Sequence, residues 1–508
     1  MTPILTVEQM NAADKATIDA GIPGIILMEN AAHRVVEYIE QHFAPLAAHH
    51  VAVLCGKGNN GGDGLAIARI LHTRFHPPHF EVVLIPEPSE LAGDAAANLK
   101  MLHAAGVQEK RALSMAPTLI IDAVLGTGLR GPAKGQALDA IRLINGFRDA
   151  KVLAVDIPSG LAGDTATPPG EFVRADATVT FTSPKICHAL HPARGLMGDL
   201  QLRQIGTPSS LLPETPLALI DPQSIASLFA PRTTDSNKGR YGHVLVVAGS
   251  RGKSGAAAMC GIAALRAGAG LVTVACPKSA LDAVAAAGPE IMTEPLPETA
   301  TGEIARDALD VIRRLADKRT LIAIGPGIGT DAETREVVTA LYANSEKPMI
   351  IDADALNCLV DSPWPHPPAP RTLTPHPGEM SRLANRPIPE IQADRINAAR
   401  TFATERALTL VLKGEGTVVA FPDGRTWINT TGSPAMATGG TGDILTGMTA
   451  GLAAQFPRDL DRAAAAAVYL HGLTGEIAAR HLGEQPVIAT DLLRYLPEGI
   501  RAITNLRD

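Results

Sequence analysis

The sequence predicts an α/β chain built of two doubly wound domains in series. Three observations carry that reading. Short apolar runs recur that end in an Asp, or pass straight into a glycine-rich stretch and then a helical pattern. That strand–turn–helix unit builds a mostly parallel sheet, with its turns at the carboxyl ends of the strands. The series occurs twice, on either side of a Pro- and Ser-rich stretch of poor periodicity, Thr207–Pro216. Finally, 508 residues exceed what one ordinary core organises. The domains are accordingly placed at 1–215 and 222–508.

Composition removes several function classes. The net charge is −7 and there is no basic block, which disfavours nucleic acid as a partner. The first residues lack the basic flank and apolar core of a signal peptide. The Ala-rich stretches are broken by Gly, Arg or Asp, so no membrane span is expected. Five dispersed cysteines suggest reduced thiols in a cytoplasm, not a disulfide frame or zinc site. Cys55 lies beside a motif, but it reads best as a small buried apolar residue.

In the first half, Val7, Met10, Ile18, Leu27, Val35 and Ile39 have the spacing of an apolar helical face, and Gly21–Gly24 divides it into two helices. Val51–Cys55 is a buried strand. It runs into Gly56–Gly64, read as a loop in which Asn59, Asn60 and Asp63 sit among glycines, and then into a helix from Leu65 to Phe75. Glu81–Ile85 is a strand, followed by a helix over about 94–105. Leu119–Leu125 then runs into Gly126–Pro132, and Lys151–Asp156 into Ile157–Gly160. Parallel strands bring such ends to one crevice. Asp63, Asp122 and Asp156 could there serve as ribose ligand, metal ligand or acid/base.

The second half repeats the unit. His243–Ala248 leads into Gly249–Gly255 and a helix through Arg266. Gly252-Lys-Ser254 resembles part of a phosphate-binding loop, but Val247 stands where the upstream glycine is required. Strands follow at Leu271–Ala275, Leu321–Gly325, Pro348–Asp352, Thr372–Thr374 and Leu408–Lys413, the last opening a hairpin through Gly414–Thr417. The stretch Thr438–Asp443 then opens into the apolar run Ile444–Met448. Backbone N–H groups at a helix start suit a phosphate, and glycines let it approach. An aspartate there repels phosphate, so Asp443 makes sense as a base taking a proton from a hydroxyl. It can also be read as a simple helix cap.

The first half carries a resemblance in Leu27–Ala31, Gly58–Gly64, Asp122–Gly128 and Asp156–Gly160. These four ordered motifs resemble the YjeF N-terminal, NAD(P)H-hydrate epimerase family. The resemblance implies a Rossmann-like fold and interconversion of the R and S hydrates of NADH and NADPH at C6 of the nicotinamide ring. It implies that Asn59, Asn60, Gly61, Gly62 and Asp63, with Gly126, Thr127, Gly128, Leu129, Arg130, Gly131 and Pro132, hold the dinucleotide. It also implies that Asn60, Asp122 and Ser159 ligate K+ and that Asp156 touches the substrate as acid/base. Lys185 falls at a family position too; by itself it reads equally as a solvated surface lysine.

The second half resembles the ribokinase-like superfamily and, within it, the ADP/ATP-dependent NAD(P)H-hydrate dehydratases. The carrying motifs are Gly249–Ala258, Gly325–Gly329, Asp352–Asn357, Thr374–Glu379, Lys413–Thr417 and Gly439–Asp443. The resemblance implies that Lys413, Gly414, Glu415, Gly416, Thr417 and Gly442 bind the adenine nucleotide. Ala257, Gly327 or Gly329, His376 and Asp443 would lie on the hydrate, although His376 can also be a plain turn residue. ADP as phosphoryl donor, Mg2+ bound through its phosphates, NADHX and NADPHX as substrates, and a homo-oligomer follow by the same resemblance. Two other readings compete: a vitamin-precursor kinase, which leaves the first domain without purpose, and a dinucleotide-sensing scaffold, against which Asp122 and Asp156 argue.

Overall fold

The structure, a computed structural model, describes residues 1–505. The chain forms two compact units, Pro3–Thr215 and Pro216–Asp508, the second joined by Met1–Thr2. The first two residues and 216–221 thus group with the second unit. There the terminal ammonium pairs with Asp221 at 3.1 Å. A strand at Leu217–Leu219 adds to the second sheet, a contribution that its three-residue length concealed in the sequence.

The smaller unit holds six strands after the edge strand β1 (Thr2–Pro3): β2 (His50–Cys55), β3 (His79–Leu84), β4 (Leu119–Ala123), β5 (Lys151–Val155), β6 (Ala177–Phe181) and β7 (Asp199–Arg203). Their order is β3-β2-β4-β5-β6-β7, parallel throughout. Side chains alternate between two cores, as a pleated strand covered on both faces requires. Val51, Val53 and Cys55 face the helices α2 (Gly24–Phe43), α3 (Asn59–Phe75) and α4 (Gly93–Ala104). Ala52 and Leu54 face α5 (Gly135–Gly146). Strand order reverses between β2 and β4, so the loops after these two strands open the crevice where a ligand fits.

At that crevice the structure differs from the expectation of a loop over 56–64. Helix α3 begins at Asn59, with Gly61, Gly62, Asp63 and Gly64 already in its first turns. A Cβ on Gly61 would stand 1.8 Å from the Gly56 carbonyl, and one on Gly64 would stand 2.6 Å from Ala123. The glycines therefore seat the helix directly on the strand ends. Their low helix propensity, about 1 kcal/mol per residue against Ala, hid that helix from the sequence pattern.

The larger unit carries β8 (Leu217–Leu219), β9 (His243–Val247), β10 (Leu271–Pro277), β11 (Met292–Leu296), β12 (Leu321–Ile324), β13 (Met349–Ile351), β14 (Arg371–Leu373), β15 (Thr409–Leu412), β16 (Thr417–Ala420) and β17 (Thr426–Asn429). The sheet order is β1-β8-β17-β16-β15-β14-β13-β12-β9-β10-β11. β15, β16 and β17 form antiparallel pairs, and the strands from β15 through to β11 are parallel. Here the order reverses between β9 and β12. On one face the helix Thr441–Gln455 lies against the helix Ser254–Arg266 with glycines at the contact. A Cβ on Gly447 would be 2.2 Å from the Cys260 carbonyl, and one on Gly451 would be 2.3 Å from that of Ala264. This close seat fixes the start of the helix that carries Asp443. No helix among the described residues is long and apolar enough to cross a membrane.

Candidate active sites

In the first unit a cavity of about 730 Å³ opens at the β2/β4 crevice. Its walls include Asn59, Asn60 and Asp63 on one side, Gly126–Arg130 on another, and Asp156, Thr182 and Lys185 at its base. Gly61, Gly62, Gly131 and Pro132 are not among the lining residues; Gly61 and Gly62 serve packing, Gly62 against Met28. Asp156 follows β5 at φ +63°, a conformation that costs a non-glycine residue energy and aims its side chain into the cavity wall.

Lys185 resolves the two ways it could be read. It is only 2 % exposed, and its Nζ donates to Asp156 Oδ1 at 2.8 Å and to Thr180 Oγ1 at 3.2 Å. Thr180 Oγ1 itself donates to Asp156 Oδ1 at 2.8 Å. Burial would raise the Asp156 carboxyl, but Lys185, His188 and these hydrogen bonds outweigh it and hold the group below the ordinary carboxylate range. His188 is buried, which pushes it down to about 3. Its Nδ1 accepts the Lys185 backbone N–H at 2.9 Å, so its Nε2 is the donor to the Asp156 carbonyl at 3.1 Å.

Behind the cavity Asp122 is fully buried. It accepts from the Ser159 N–H at 2.8 Å, the Ser159 hydroxyl at 2.6 Å and the Val124 N–H at 3.3 Å. Burial still outweighs those donors and pushes its carboxyl up to about 6. Asn60 Nδ2 donates to the Leu125 carbonyl at 2.9 Å, while its buried Oδ1 has no protein partner. Asn60, Asp122, Ser159 and the Leu125 carbonyl are all oxygen donors, the set a hard monovalent cation takes. The orphaned amide oxygen and the uncompensated buried carboxyl fit K+.

In the second unit the Asp443 site gathers at the carboxyl ends of β9, β12, β13, β14 and β15. Asp443 is the third residue of the helix Thr441–Gln455, whose own ladder begins with Ile444 N–H to the Gly440 carbonyl at 3.1 Å. The N–H groups of Thr441, Gly442 and Asp443 therefore point ahead of the helix. Gly440 adopts φ +96° to make that entry. Beneath the loop, Lys413 Nζ donates to Asp352 Oδ1 at 2.7 Å and lies 3.9 Å from Glu379. Thr446 donates to the other Asp352 oxygen at 2.6 Å. A Cβ on Gly442 would stand 3.5 Å from Lys413 Nζ, which brings the glycine loop against this charge cluster.

Burial and the neighbouring Asp352 push the Asp443 carboxyl up to about 6, partly offset by Lys413. Burial likewise lifts Glu379 to about 7, against the pull of Lys413. Burial alone would lower Lys413, but Asp352 and Glu379 hold it above its usual value. Among the described residues Asp443 makes no hydrogen bond or ion pair. Its carboxyl does not cap this helix, which has no side-chain cap hydrogen bond.

The other residues implied by resemblance fall around this centre in different ways. Gly327 accepts from the Ser250 hydroxyl at 2.7 Å, and Gly329 donates to Asp354 at 2.9 Å. His376 caps the helix Pro377–Ala384, its Nδ1 accepting from Gly378 at 3.0 Å, with Glu379 closing the box at 2.7 Å. Ala257 is fully buried and packs towards Gly249. Gly414, Glu415 and Gly416 form the β15–β16 turn, and Thr417 donates back to Gly414 at 2.7 Å. Arg395 was not foreseen. Its buried guanidinium donates to the carbonyls of Leu412 and Lys413 at 3.0 and 3.1 Å and holds that turn. Nothing in its sequence surroundings marks it, although it starts the helix Arg395–Glu405 that leads directly into β15. Asp352 and Glu379 stood in quoted motifs, but their partnership with Lys413 is long-range and needed the fold.

Comparison with known proteins follows the same division. Residues 24–187 match the family described as YjeF-related protein N-terminus, and residues 244–498 the family described as NAD(P)H-hydrate dehydratase. The chain is 41 % identical to the bifunctional NAD(P)H-hydrate repair enzyme of Moorella thermoacetica, over 98 % of this chain and 96 % of that one. It is 35 % identical to the enzyme of that name in Escherichia coli K12, over 88 % and 84 %. Among solved structures, the ADP/ATP-dependent NAD(P)H-hydrate dehydratase of Bacillus subtilis, co-crystallised with ATP and Mg2+, is 32 % identical with a TM-score of 0.51. It covers 56 % of this chain and 98 % of its own. A ribokinase-like superfamily protein of Enterococcus faecalis is 28 % identical, with a TM-score of 0.50 and coverage of 57 % and 98 %.

Proposed function

The chain belongs to the family of bifunctional NAD(P)H-hydrate repair enzymes, and on that premise we propose which of its residues carry the two reactions. The first unit epimerises the R and S hydrates of NADH and NADPH. The second dehydrates the S hydrate back to the reduced dinucleotide, with an adenine nucleotide as phosphoryl donor. We propose ADP as that donor, and Mg2+ as a companion of its phosphates, in keeping with the ATP- and Mg2+-bound Bacillus relative.

The observation that carries the dehydratase assignment is the unpartnered Asp443 carboxyl at a helix start above Lys413. Hydroxide is a poor leaving group. Asp443 takes the proton of the C6 hydroxyl, and the oxygen attacks the terminal phosphate of ADP, breaking its bond to the bridging oxygen and releasing AMP. The N–H groups ahead of the helix stabilise the charge that develops. Phosphate then departs as the ring nitrogen pushes, and the resulting iminium loses its C5 proton to solvent, which restores the C5–C6 double bond of the nicotinamide ring. Lys413, fixed by Asp352, which Thr446 holds in turn, offers its remaining protons to the nucleotide. The turn Gly414–Thr417 frames that nucleotide, and Gly442 gives it room; Ala257, Gly327, Gly329 and His376 line the hydrate side.

In the first unit the substrate reaches the cavity past Asn59, Asn60, Asp63 and the Gly126–Pro132 loop. Asp156, kept ionised by Lys185, accepts the C6 hydroxyl proton. Asn60, Asp122 and Ser159 would hold K+, which would supply a positive charge beside the buried Asp122 carboxyl. The test is direct: the whole chain with hydrated NADH and ADP should restore the absorbance of the reduced nicotinamide. Omitting the nucleotide should leave the hydrate unrepaired.

A further inference from the structure

One face of helix α1 (Val7–Asp19) lines the cavity of the first unit. Met10, Asp14 and Ile18, at intervals of four, belong to that wall, and Asp14 is the ionisable member of the stripe. The helix is bolted in place from its start. Thr6 and Gln9 form a capping box, and Val7 N–H donates to Asp164 at 2.8 Å. Ser183 Oγ donates to the Pro3 carbonyl at 2.6 Å, and Leu5 N–H to the Pro184 carbonyl at 3.0 Å. These bonds tie α1 to the segment carrying Lys185, so Asp14 faces the same space as the Asp156–Lys185 pair. Among the described residues Asp14 and Asp63 make no hydrogen bond or ion pair. Asn60 is 8 % exposed and Thr182 is 3 % exposed, and the Oδ1 of the first and Oγ1 of the second lack a protein partner. Thr182 is held at φ +62° in doing so. Residue 14 also lies ahead of the matched stretch 24–187.

We propose that Asp14 is the general acid of the epimerase cavity, working with Asp156 as base to open and reclose the hydrated ring. The proposal rests on the epimerase reading above. Asp156 takes the C6 hydroxyl proton, the C6–N1 bond breaks, and C6 becomes an aldehyde carbon. The bonding pair passes to N1, which is conjugated through the ring double bond with the carboxamide, and Asp14 gives N1 its proton. After the aldehyde turns about C5–C6, Asp14 takes that proton back as N1 attacks the opposite face. Asp156 returns its proton to the oxygen. No electron leaves or enters the pair of hydrates. Burial and the Asp156 charge lift Asp14 to about 6 against the pull of Lys185, so it can both give and recover a proton. Burial, with the charges of Asp156 and Asp14, raises the Asp63 carboxyl well above the ordinary carboxylate range.

The experiment uses the full chain and follows R-hydrate epimerisation with Asp14→Asn and Asp14→Ala. Asp14→Asn should slow epimerisation by roughly a hundred- to ten-thousand-fold. Its dissociation constant for the R hydrate should stay within a few-fold, and the S hydrate should still be dehydrated in the same tube. Formate should partly restore Asp14→Ala in proportion to its concentration, which a lost packing contact would not allow. Epimerisation within a few-fold of wild type in Asp14→Asn would overturn the proposal, as would absence of formate rescue. If wild type itself does not epimerise the hydrates, the epimerase reading fails and takes the proposal with it.

Discussion

Lys413 Nζ lies 2.7 Å from Asp352 Oδ1, and this pair sits directly under the loop that presents Asp443. Asp352 is 1 % exposed, so its charge is tolerable only with Lys413 and Thr446 beside it. The same negative charge raises Asp443 towards neutrality while Lys413 restrains the rise. In the proposed mechanism this one ion pair both tunes the Asp443 base and places a cation beside the phosphate.

Asp443→Asn should abolish dehydration, because the amide is nearly isosteric but cannot accept a proton. The loss expected for a general base is roughly a hundred- to ten-thousand-fold, with nucleotide affinity retained. Steady-state turnover together with nucleotide titration checks this. Activity within a few-fold of wild type would remove Asp443 from the base role.

The pH dependence follows from the direction of the shift. Asp443 must be ionised to act, so wild-type kcat/KM for the S hydrate should fall below about pH 6. Stability runs the other way. A carboxyl raised from 3.8 to about 6 by folding is easiest to bury when protonated, so its stabilising contribution is lost as pH rises through about 6. Asp443→Asn should therefore be the more stable protein above pH 6, by about 3 kcal/mol at most, and should lose that advantage below pH 4. Urea unfolding at the two pH values measures it.

Much of this was legible in the sequence, and the misses have physical causes. Strand ends and glycine turns announced both switch-point clefts, because a parallel strand covered on both faces must read as a short apolar run. Asp443, Asp156 and Asp122 were visible as charges at the ends of such runs. Helix α3 was placed late because glycine is a poor helix former, and only the contact with Gly56 and Ala123 shows why it is required there. Lys185 could not be told from a surface lysine, since its partner Asp156 lies 29 residues away in the chain. Asp14 escaped notice for a different reason. It replaces an apolar residue in an otherwise ordinary amphipathic stripe, and its meaning comes from the cavity that the stripe faces.

The K+ assignment makes a prediction that needs no turnover. A ligand bound only by the folded state adds about 2.7 kcal/mol at a hundred times its dissociation constant. Thermal unfolding of the residues 3–215 unit should shift upward with K+ at constant ionic strength. Asp122→Asn, which removes the buried charge, should lose most of that shift. An equal rise in the variant would assign the effect to general salt.

Cutting the chain between Thr215 and Pro216 should leave two soluble, separately active proteins, since each compact unit has its own sheet and its own cores. Expression of each half, with epimerase and dehydratase assays, is the check. A half that is insoluble or inactive alone, while the whole chain works, would make the two a single cooperative unit.

The division of labour itself is tested most directly by a time course with Asp156→Ala on an equilibrated mixture of R and S hydrates and excess ADP. The dehydratase centre can aim only one C6 hydroxyl at Asp443, and a misplacement of about 1 Å can already cost a hundredfold. Wild type should convert nearly the whole mixture in one fast phase. The variant should convert the S hydrate at the normal rate, then continue only as fast as the R hydrate epimerises spontaneously. A single fast phase that clears both hydrates in the variant would contradict the account.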